Sequence, residues 1–322
     1  MQTQPTVSVI MITYGHEKFI RQALESILLQ NCNFQIEIIL ANDCSPDSTD
    51  KIIQEILKTN KNAGWIRYFN HSKNLGMMPN FIQALENCKG KYIALCDGDD
   101  YWTDSQKLQK QVDFLESNPN YVLTFHKISI LKTDGTIVND FITKVPDKHE
   151  TIADLALASN YIHTPSVVFR NCITNYPNEL NLSPIGDYFL YLILSQFGKI
   201  KYIQDNMAIY RQGVGVWSSL STNKITLNSA HCFSLIHKYF KSKNNELVSE
   251  IFKKRTINSL SSLQSIITKK DIARFALDNE LSLEIIIDLS NKIQSLKKEK
   301  ISDQLQVLLY KILKRIGHRL KF

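Results

Sequence analysis

The chain has 322 residues, 43% of them hydrophobic and 21% charged; this balance excludes a disordered or fibrous protein and allows one large domain or a domain with a helical appendage. Its net charge of +7 is local, because residues 291–322 carry nine Lys or Arg against only Glu299 and Asp303. The remainder is close to neutral and offers no basic folded face, so no nucleic-acid partner is expected. Cys32, Cys44, Cys88, Cys96, Cys172 and Cys232 are scattered and form no C-x-x-C pair, which argues for a reducing compartment and against a disulfide framework or a zinc site. The segment from Met1 to Thr6 has no basic region followed by an apolar run, and Val7 to Thr13 is too short to span a bilayer; a cytoplasmic location is therefore expected.

In chain order, Val7 to Thr13 and Ile36 to Asn42 are β-branched and almost free of charge, the pattern of buried parallel strands. Between them, Phe19, Ile20, Ala23, Leu24, Ile27 and Leu28 recur at helical spacing and predict a helix over residues 17–29. Ser45, Pro46, Asp47 and Ser48 supply turn and capping chemistry for a second helix through Ile52, Ile53, Ile56 and Leu57. Ile66 to Phe69 and Tyr92 to Cys96 supply two more strands. Thr103 and Gln106 have the spacing of a capping box for a helix carrying Leu108, Val112, Phe114 and Leu115. Tyr121 to Leu131, the turn at Thr133, Asp134 and Gly135, and Ile137 to Val138 predict a hairpin, which makes the sheet mixed. Ser166 to Phe169 is one more strand and Asp187 to Phe197 an apolar helix. Alternating strands and helices of this kind define an α/β sheet built from crossover units. From Ser219 onward helix formers dominate, so the chain is divided into an α/β domain, residues 1–218, and a helical region, residues 219–322.

The sharpest local feature is Cys96-Asp97-Gly98-Asp99-Asp100, three carboxylates in four positions directly after an apolar strand. Crowded carboxylates repel, and a divalent cation shared with substrate phosphates is the usual reason to tolerate them. By itself such a run is also a solvated turn that caps the next helix. Asn42-Asp43-Cys44-Ser45-Pro46-Asp47 and Thr13-Tyr14 likewise follow predicted strands, so three polar strand ends fall at one sheet edge, the place where α/β sheets bind ligands.

These segments, together with Val7 to Tyr14 as a whole, Asn74-Leu75-Gly76 and Asp97 to Trp102, resemble the inverting family 2 glycosyltransferases over roughly residues 5–220. The resemblance implies a GT-A fold, transfer of a hexosyl or N-acetylhexosaminyl group from a nucleotide-sugar donor, a UDP-sugar foremost, and a Mn2+ or Mg2+ cofactor. It implies a glycan or lipid-linked acceptor, in the assembly of a cell-surface polysaccharide or lipid-linked glycan. It places Thr13, Tyr14 and Asp43 on the nucleoside, Asn74 and Gly76 beside the donor, and the Asp97-Gly98-Asp99 motif on ribose and metal-bound pyrophosphate, with Asp97 and Asp99 as the metal ligands. Ile185-Gly186-Asp187-Tyr188 resembles the segment that supplies the catalytic base, which makes Asp187 that base; an Asp opening a helix is otherwise an N-cap, and Gly186 departs from the family's usual Glu. Tyr210 to Ser218 resembles a loop that closes over the donor, in which Arg211 would neutralise pyrophosphate and Trp217 would stack on a sugar ring. No histidine stands there to add a metal ligand. His163, before the strand at Ser166, lies toward the expected acceptor side.

Two other readings compete: a sugar nucleotidyltransferase, and a non-catalytic sugar-nucleotide or glycan-binding protein. The first calls for a Gly-rich basic loop after the first strand, which Thr13 to Glu17 is not. Finally, Ile301, Leu305, Leu308, Ile312, Ile316 and Leu320 recur every three or four residues among basic ones, a basic amphipathic helix suited to packing on the fold or to peripheral contact with an anionic membrane.

Overall fold

The computed structural model describes residues 4–215, 220–263, 275–276, 279 and 281–297. The chain divides into two compact units, Met1–Leu182 with Gly186–Ser219, and Ser183–Ile185 with Leu220–Phe322. The first is a sheet flanked by helices: β1 Val7–Thr13, α1 Ile20–Leu28, β2 Ile36–Asn42, α2 Thr49–Thr59, β3 Ile66–Asn70, α3 Met77–Glu86, β4 Tyr92–Leu95, β5 Tyr101–Trp102, α4 Lys107–Ser117, β6 Tyr121–Leu131, β7 Ile137–Asn139, α5 Ile152–Ala158, β8 Val168–Arg170, α6 Asn178–Asn181, α7 Gly186–Leu194 and β9 Lys199–Arg211.

The strands run β3-β2-β1-β4-β8-β6-β9-β5, with β7 paired to β6. Strands β3, β2, β1 and β4 are parallel, because α1, α2 and α3 connect them in chain order as crossover helices. In β2 every residue is buried, as covered faces on both sides require of a parallel strand. Helix α1 turns Ile20, Ala23, Leu24, Ile27 and Leu28 inward at three- and four-residue intervals, and these pack with Val9, Met11, Ile38 and Leu40 in one core. Beyond β4 the sheet becomes mixed: β8 is antiparallel to both β4 and β6, while β9 runs parallel to β6 and antiparallel to β5.

Two elements depart from the expectations above. Helix α4 does not begin with a Thr103 capping box: the Thr103 amide donates to the Met207 carbonyl at 3.0 Å as the chain leaves β5. Asp104 does the turning instead, its carboxylate accepting from the Gln106 amide at 2.8 Å. Strand β9 extends through Tyr210 and Arg211, which the resemblance placed at the start of a loop. Its polar stretch Gln204, Asp205 and Asn206 hides the alternation, and the β6–β9 register is irregular around His126, Lys127 and Ile128.

The register brings the polar strand ends together. Thr13 pairs with Asn42, the Cys96 amide donates to the Ile10 carbonyl and the Gly98 amide to that of Ile12, each at 3.0 Å. The carboxyl ends of β1, β2 and β4 thus form one edge.

The second unit contains α8 Thr222–Ser242, α9 Glu246–Ser262 and α10 Leu283–Lys297. Ser221 and Asn245 cap α8 and α9 through their side chains, and Ala230, Leu260, Ile285 and Leu289 form a core cluster. No described helix is long and apolar enough to cross a membrane. The predicted amphipathic helix over residues 301–322 lies outside the described residues.

Candidate active site

Thr13 ends β1 buried, with Oγ1 3.1 Å from His16 Nδ1, and Tyr14 beside it is exposed. Gly98 lies directly over this pair. A Cβ there would sit 2.7 Å from Thr13 Oγ1 and 2.8 Å from His16 Nδ1, so only glycine lets the loop from Asp97 to Asp99 lie flat on the end of β1.

Asp43, at the end of β2, is buried. Its carboxylate accepts from the amides of Leu75 at 2.7 Å and Gly76 at 2.9 Å, while Asn74 donates to its carbonyl at 3.2 Å. Asp43, Asn74 and Gly76 are therefore one structure: the carboxylate braces the turn that starts α3. Gly76, at φ +91°, occupies the left-handed region where a side chain would be strained.

The acidic cluster divides its labour. Asp100 points inward and accepts from the Arg211 amide at 2.9 Å; burial and Asp99 hold its carboxyl well above the usual range. Asp97 is partly exposed, and burial, then Asp99 and Asp187, push it up to about 8 with no hydrogen bond to ease it. Asp187, ninety residues further along the chain, is thus among the charges that act on Asp97. The fit to a cation is good in kind: two partly exposed carboxylates plus substrate phosphates are a common way to hold Mg2+ or Mn2+. Among the described residues no three His, Cys, Asp or Glu converge to form a complete cage.

Asp187 lies in the first turn of α7. Its carboxylate accepts from the Tyr188 amide at 2.7 Å and from Asn160 Nδ2 at 3.0 Å. Burial raises its pKa, opposed by those two hydrogen bonds and by His163. The glycine before it has a local cause: a Cβ on Gly186 would collide with Met78, whose Sδ and Cε occupy that space, the latter 2.8 Å away.

Arg211 ends β9 and turns inward. Its guanidinium donates to the Asp99 carbonyl and to Gln22 Oε1 and lies over the rings of Phe19 and Tyr101, 5.0 and 4.7 Å from their centroids. With only 6% of the residue exposed, these contacts clamp the acidic loop to α1 and β9. Trp217 lies outside the described residues.

Sequence reasoning passed over His16, Asn160 and Asp140; His16 lies against Thr13, Asn160 against Asp187 and Asp140 against His163. His16 was readable from its nearness to Thr13; Asn160 and Asp140 lie in irregular segments and carry no local signal.

A parallel half-sheet whose carboxyl edge gathers Thr13, Asp43, Asp97 and Asp99, continued by a mixed half and followed by helix α7 with Asp187 in its first turn, defines a GT-A fold. The chain belongs to glycosyl transferase family 2, whose profile matches residues 8–176. It is 34% identical over 219 residues to an uncharacterized protein of Mycobacterium tuberculosis, an alignment covering 68% of this chain and 62% of that relative. It is 29% identical to the putative teichuronic acid biosynthesis glycosyltransferase TuaG of Bacillus subtilis, over 69% of this chain and 83% of TuaG. Among solved structures, S. aureus TarS 1–349 superposes with a TM-score of 0.60 at 18% identity, covering 90% of this chain and 83% of that one. The mannosyltransferase PcManGT of Pyrobaculum calidifontis, in complex with GDP-Man and Mn2+, gives 0.54 at 13% identity, covering 93% and 89%. At these identities the structural likeness concerns the fold.

Proposed function

We propose that this protein transfers a sugar from a nucleotide-sugar donor to an acceptor hydroxyl with inversion at the anomeric carbon. The observation that carries the reading is the gathering of Thr13, Asp43 and the Asp97–Asp99 loop at the carboxyl edge of the parallel strands, with Asp187 among the charges acting on Asp97. Family membership supports it, as does the solved complex of TarS with UDP-GlcNAc, which favours a UDP-sugar carrying a hexose or N-acetylhexosamine. TuaG's name points to cell-surface polysaccharide assembly, with a glycan or lipid-linked acceptor, on the cytoplasmic side or at the membrane surface. Residues 1–218 would carry binding and catalysis, and residues 219–322 would form a helical region with its own task.

In this mechanism Thr13, Tyr14 and the loop braced by Asp43, Asn74 and Gly76 hold the nucleoside side of the donor. Asp97 and Asp99 would hold a divalent cation, Mn2+ or Mg2+, which when bound would neutralise the leaving diphosphate. Gly98 keeps that loop seated on β1, and Arg211 fixes it from beneath. Asp187 takes the proton from the acceptor hydroxyl as its oxygen attacks the anomeric carbon. Asn160 and the Tyr188 amide hold the carboxylate, so that one rotamer is presented.

The deciding experiment is Asp187→Asn. Asn keeps a side-chain oxygen to accept from the Tyr188 amide, so fold and donor affinity should persist. It accepts no proton, and transfer should fall about 10²- to 10⁴-fold. Nucleotide release from UDP-GlcNAc, UDP-glucose and GDP-mannose with Mn2+ measures this. Near-normal turnover by the variant would remove Asp187 from the chemistry and leave it a structural acceptor for Asn160 and the Tyr188 amide.

A further inference from the structure

A few residues beyond the acidic loop, three buried polar atoms find no hydrogen-bond partner among the described residues: Lys107 Nζ, Gln111 Oε1 and His126 Nε2. None of the three residues reaches solvent to any useful extent. Lys107 and Gln111 stand one turn apart on α4, so both leave it on the same face. Gln111 Nε2 donates to Thr124 Oγ1 at 3.1 Å and to the Ser166 carbonyl at 2.9 Å. Thr124 and His126 are two residues apart in a regular stretch of β6, so the imidazole follows the Thr124 side chain onto the face that α4 covers. Lys107 Nζ lies 4.1 Å over the ring of Trp102. The Trp102 amide donates to Ser26 Oγ at 3.0 Å and its indole nitrogen to the Pro165 carbonyl at 2.8 Å.

The hydrogen-bonding role of each orphaned atom is fixed by what the rest of its side chain touches. His126 Nδ1 lies 2.7 Å from the Lys127 carbonyl, which only accepts, so the ring proton sits on Nδ1 and Nε2 presents a lone pair. The amide nitrogen of Gln111 is turned to carbonyl and hydroxyl oxygens, which leaves Oε1, an acceptor, on the other side. A protonated Lys107 brings only donors. One water matches this set: it accepts from the ammonium and donates a proton to each acceptor, three bonds in all, the usual number for a buried water. We propose that Lys107, Gln111 and His126 enclose an internal water site between α4 and β6, and that the amine it hydrates is a pH-sensitive brace under Trp102.

The brace lies where two parts of the candidate site are tied together. Trp102 and Gln111 hold two successive carbonyls, those of Pro165 and Ser166, in the turn before β8, and Trp102 is joined through Tyr101 to Asp100. Burial pushes the Lys107 amine down to about 7, while the indole face and the water offset part of the cost of keeping it charged. The other groups that face it hold their charge state near neutrality. Burial raises the thiols of Cys96, just after β4, and Cys32, after α1. Burial and Lys107 itself keep His126 neutral, and Lys110, on the same helix, is engaged by Asp104 and Asp205 at 2.8 and 2.6 Å. Of these groups Lys107 alone changes charge between pH 6 and 9, and none of this depends on the acidic loop holding a cation.

Trp102 emission reads the brace directly. The chain has three tryptophans, so the full-length Trp65→Phe, Trp217→Phe protein leaves Trp102 as the single indole, to be titrated in chelator from about pH 5.5 to 9.5. A cation over the ring face shifts emission, and the transition should have its midpoint near pH 7 and vanish in Lys107→Met. No transition below about pH 9, as for an ordinary lysine, would overturn the brace. So would a transition that persists in Lys107→Met, which would belong to the carboxyls of the acidic loop instead. Thermal melting at neutral pH tests the shared water: Lys107→Met removes its donor and His126→Phe one of its acceptors. The shift of the double variant should then differ from the sum of the two single shifts by at least about 2 °C, and strictly additive shifts would mean that no site is shared. Should Lys107→Met fold poorly, Lys107→Gln removes the charge while keeping a polar end, and the same loss of the fluorescence transition is expected.

Discussion

Asp97 is where burial, Asp99 and Asp187 all oppose the same charge, and its carboxyl is pushed up to about 8. A proton and a cation therefore compete for it. In calorimetric titrations of Mn2+ with a nucleoside diphosphate, affinity should rise between about pH 6 and 8 and level off above, with proton release in the lower range; a flat profile would exclude Asp97 as a ligand. The same shift bears on stability. An acid raised from 3.8 to about 8 on folding binds its proton more tightly in the folded state, so in chelator stability should decline as pH rises through that window. Asp97→Asn should then raise the melting temperature at pH 8 more than at pH 5. This residue was legible in the sequence because three carboxylates after an apolar strand call for a cation. Asp140 and Asn160 were not, since an Asp and an Asn in irregular segments look like any turn residues until the fold brings them to His163 and Asp187.

At the level of elements, strands β1, β2 and β4 follow directly from short, mostly apolar runs, and their register carries Thr13, Asp43 and Asp97 to one edge. The antiparallel half was harder to read. Strand β9 mixes Lys199, Lys201, Gln204, Asp205 and Asn206 with its apolar residues, because much of it is exposed and irregularly paired with β6; polarity of that kind resembles a loop. Helix α4 shows a smaller failure of the same sort, a capping-box spacing at Thr103 overridden by pairing with β9, which left Asp104 to start the helix. Placing Arg211 at the end of a strand changes what its substitution should do. Arg211→Lys keeps the charge but loses the planar fork that reaches both the Asp99 carbonyl and Gln22, and loses the stacking on Phe19 and Tyr101. Stability should fall by about 1–3 kcal/mol, the range for a buried polar partner left unsatisfied, with donor affinity falling because the acidic loop is released. If the guanidinium instead served pyrophosphate directly, chemical denaturation would show wild-type stability and only donor affinity would drop.

Across the whole molecule, residues 8–176 identify the family, while the basic charge gathers far beyond them, in residues 291–322. The segregation has a physical consequence. Anionic lipid attracts each Lys or Arg near its surface by about 1 kcal/mol, and apolar residues every three or four positions would add burial to that attraction if the segment forms a helix. Full-length protein should co-sediment with vesicles containing phosphatidylserine at low ionic strength and be released as salt is raised, because the Debye length shrinks from about 10 Å at 0.1 M to about 3 Å at 1 M. Deleting residues 301–322 should abolish sedimentation while nucleotide release from the donor continues, since the carboxylates that serve it belong to the other unit. Binding to neutral phosphatidylcholine vesicles with equal strength would assign the contact to apolar insertion alone. No sedimentation with either lipid at low salt would mean that the segment packs on the protein itself, and deletion should then lower the melting temperature instead.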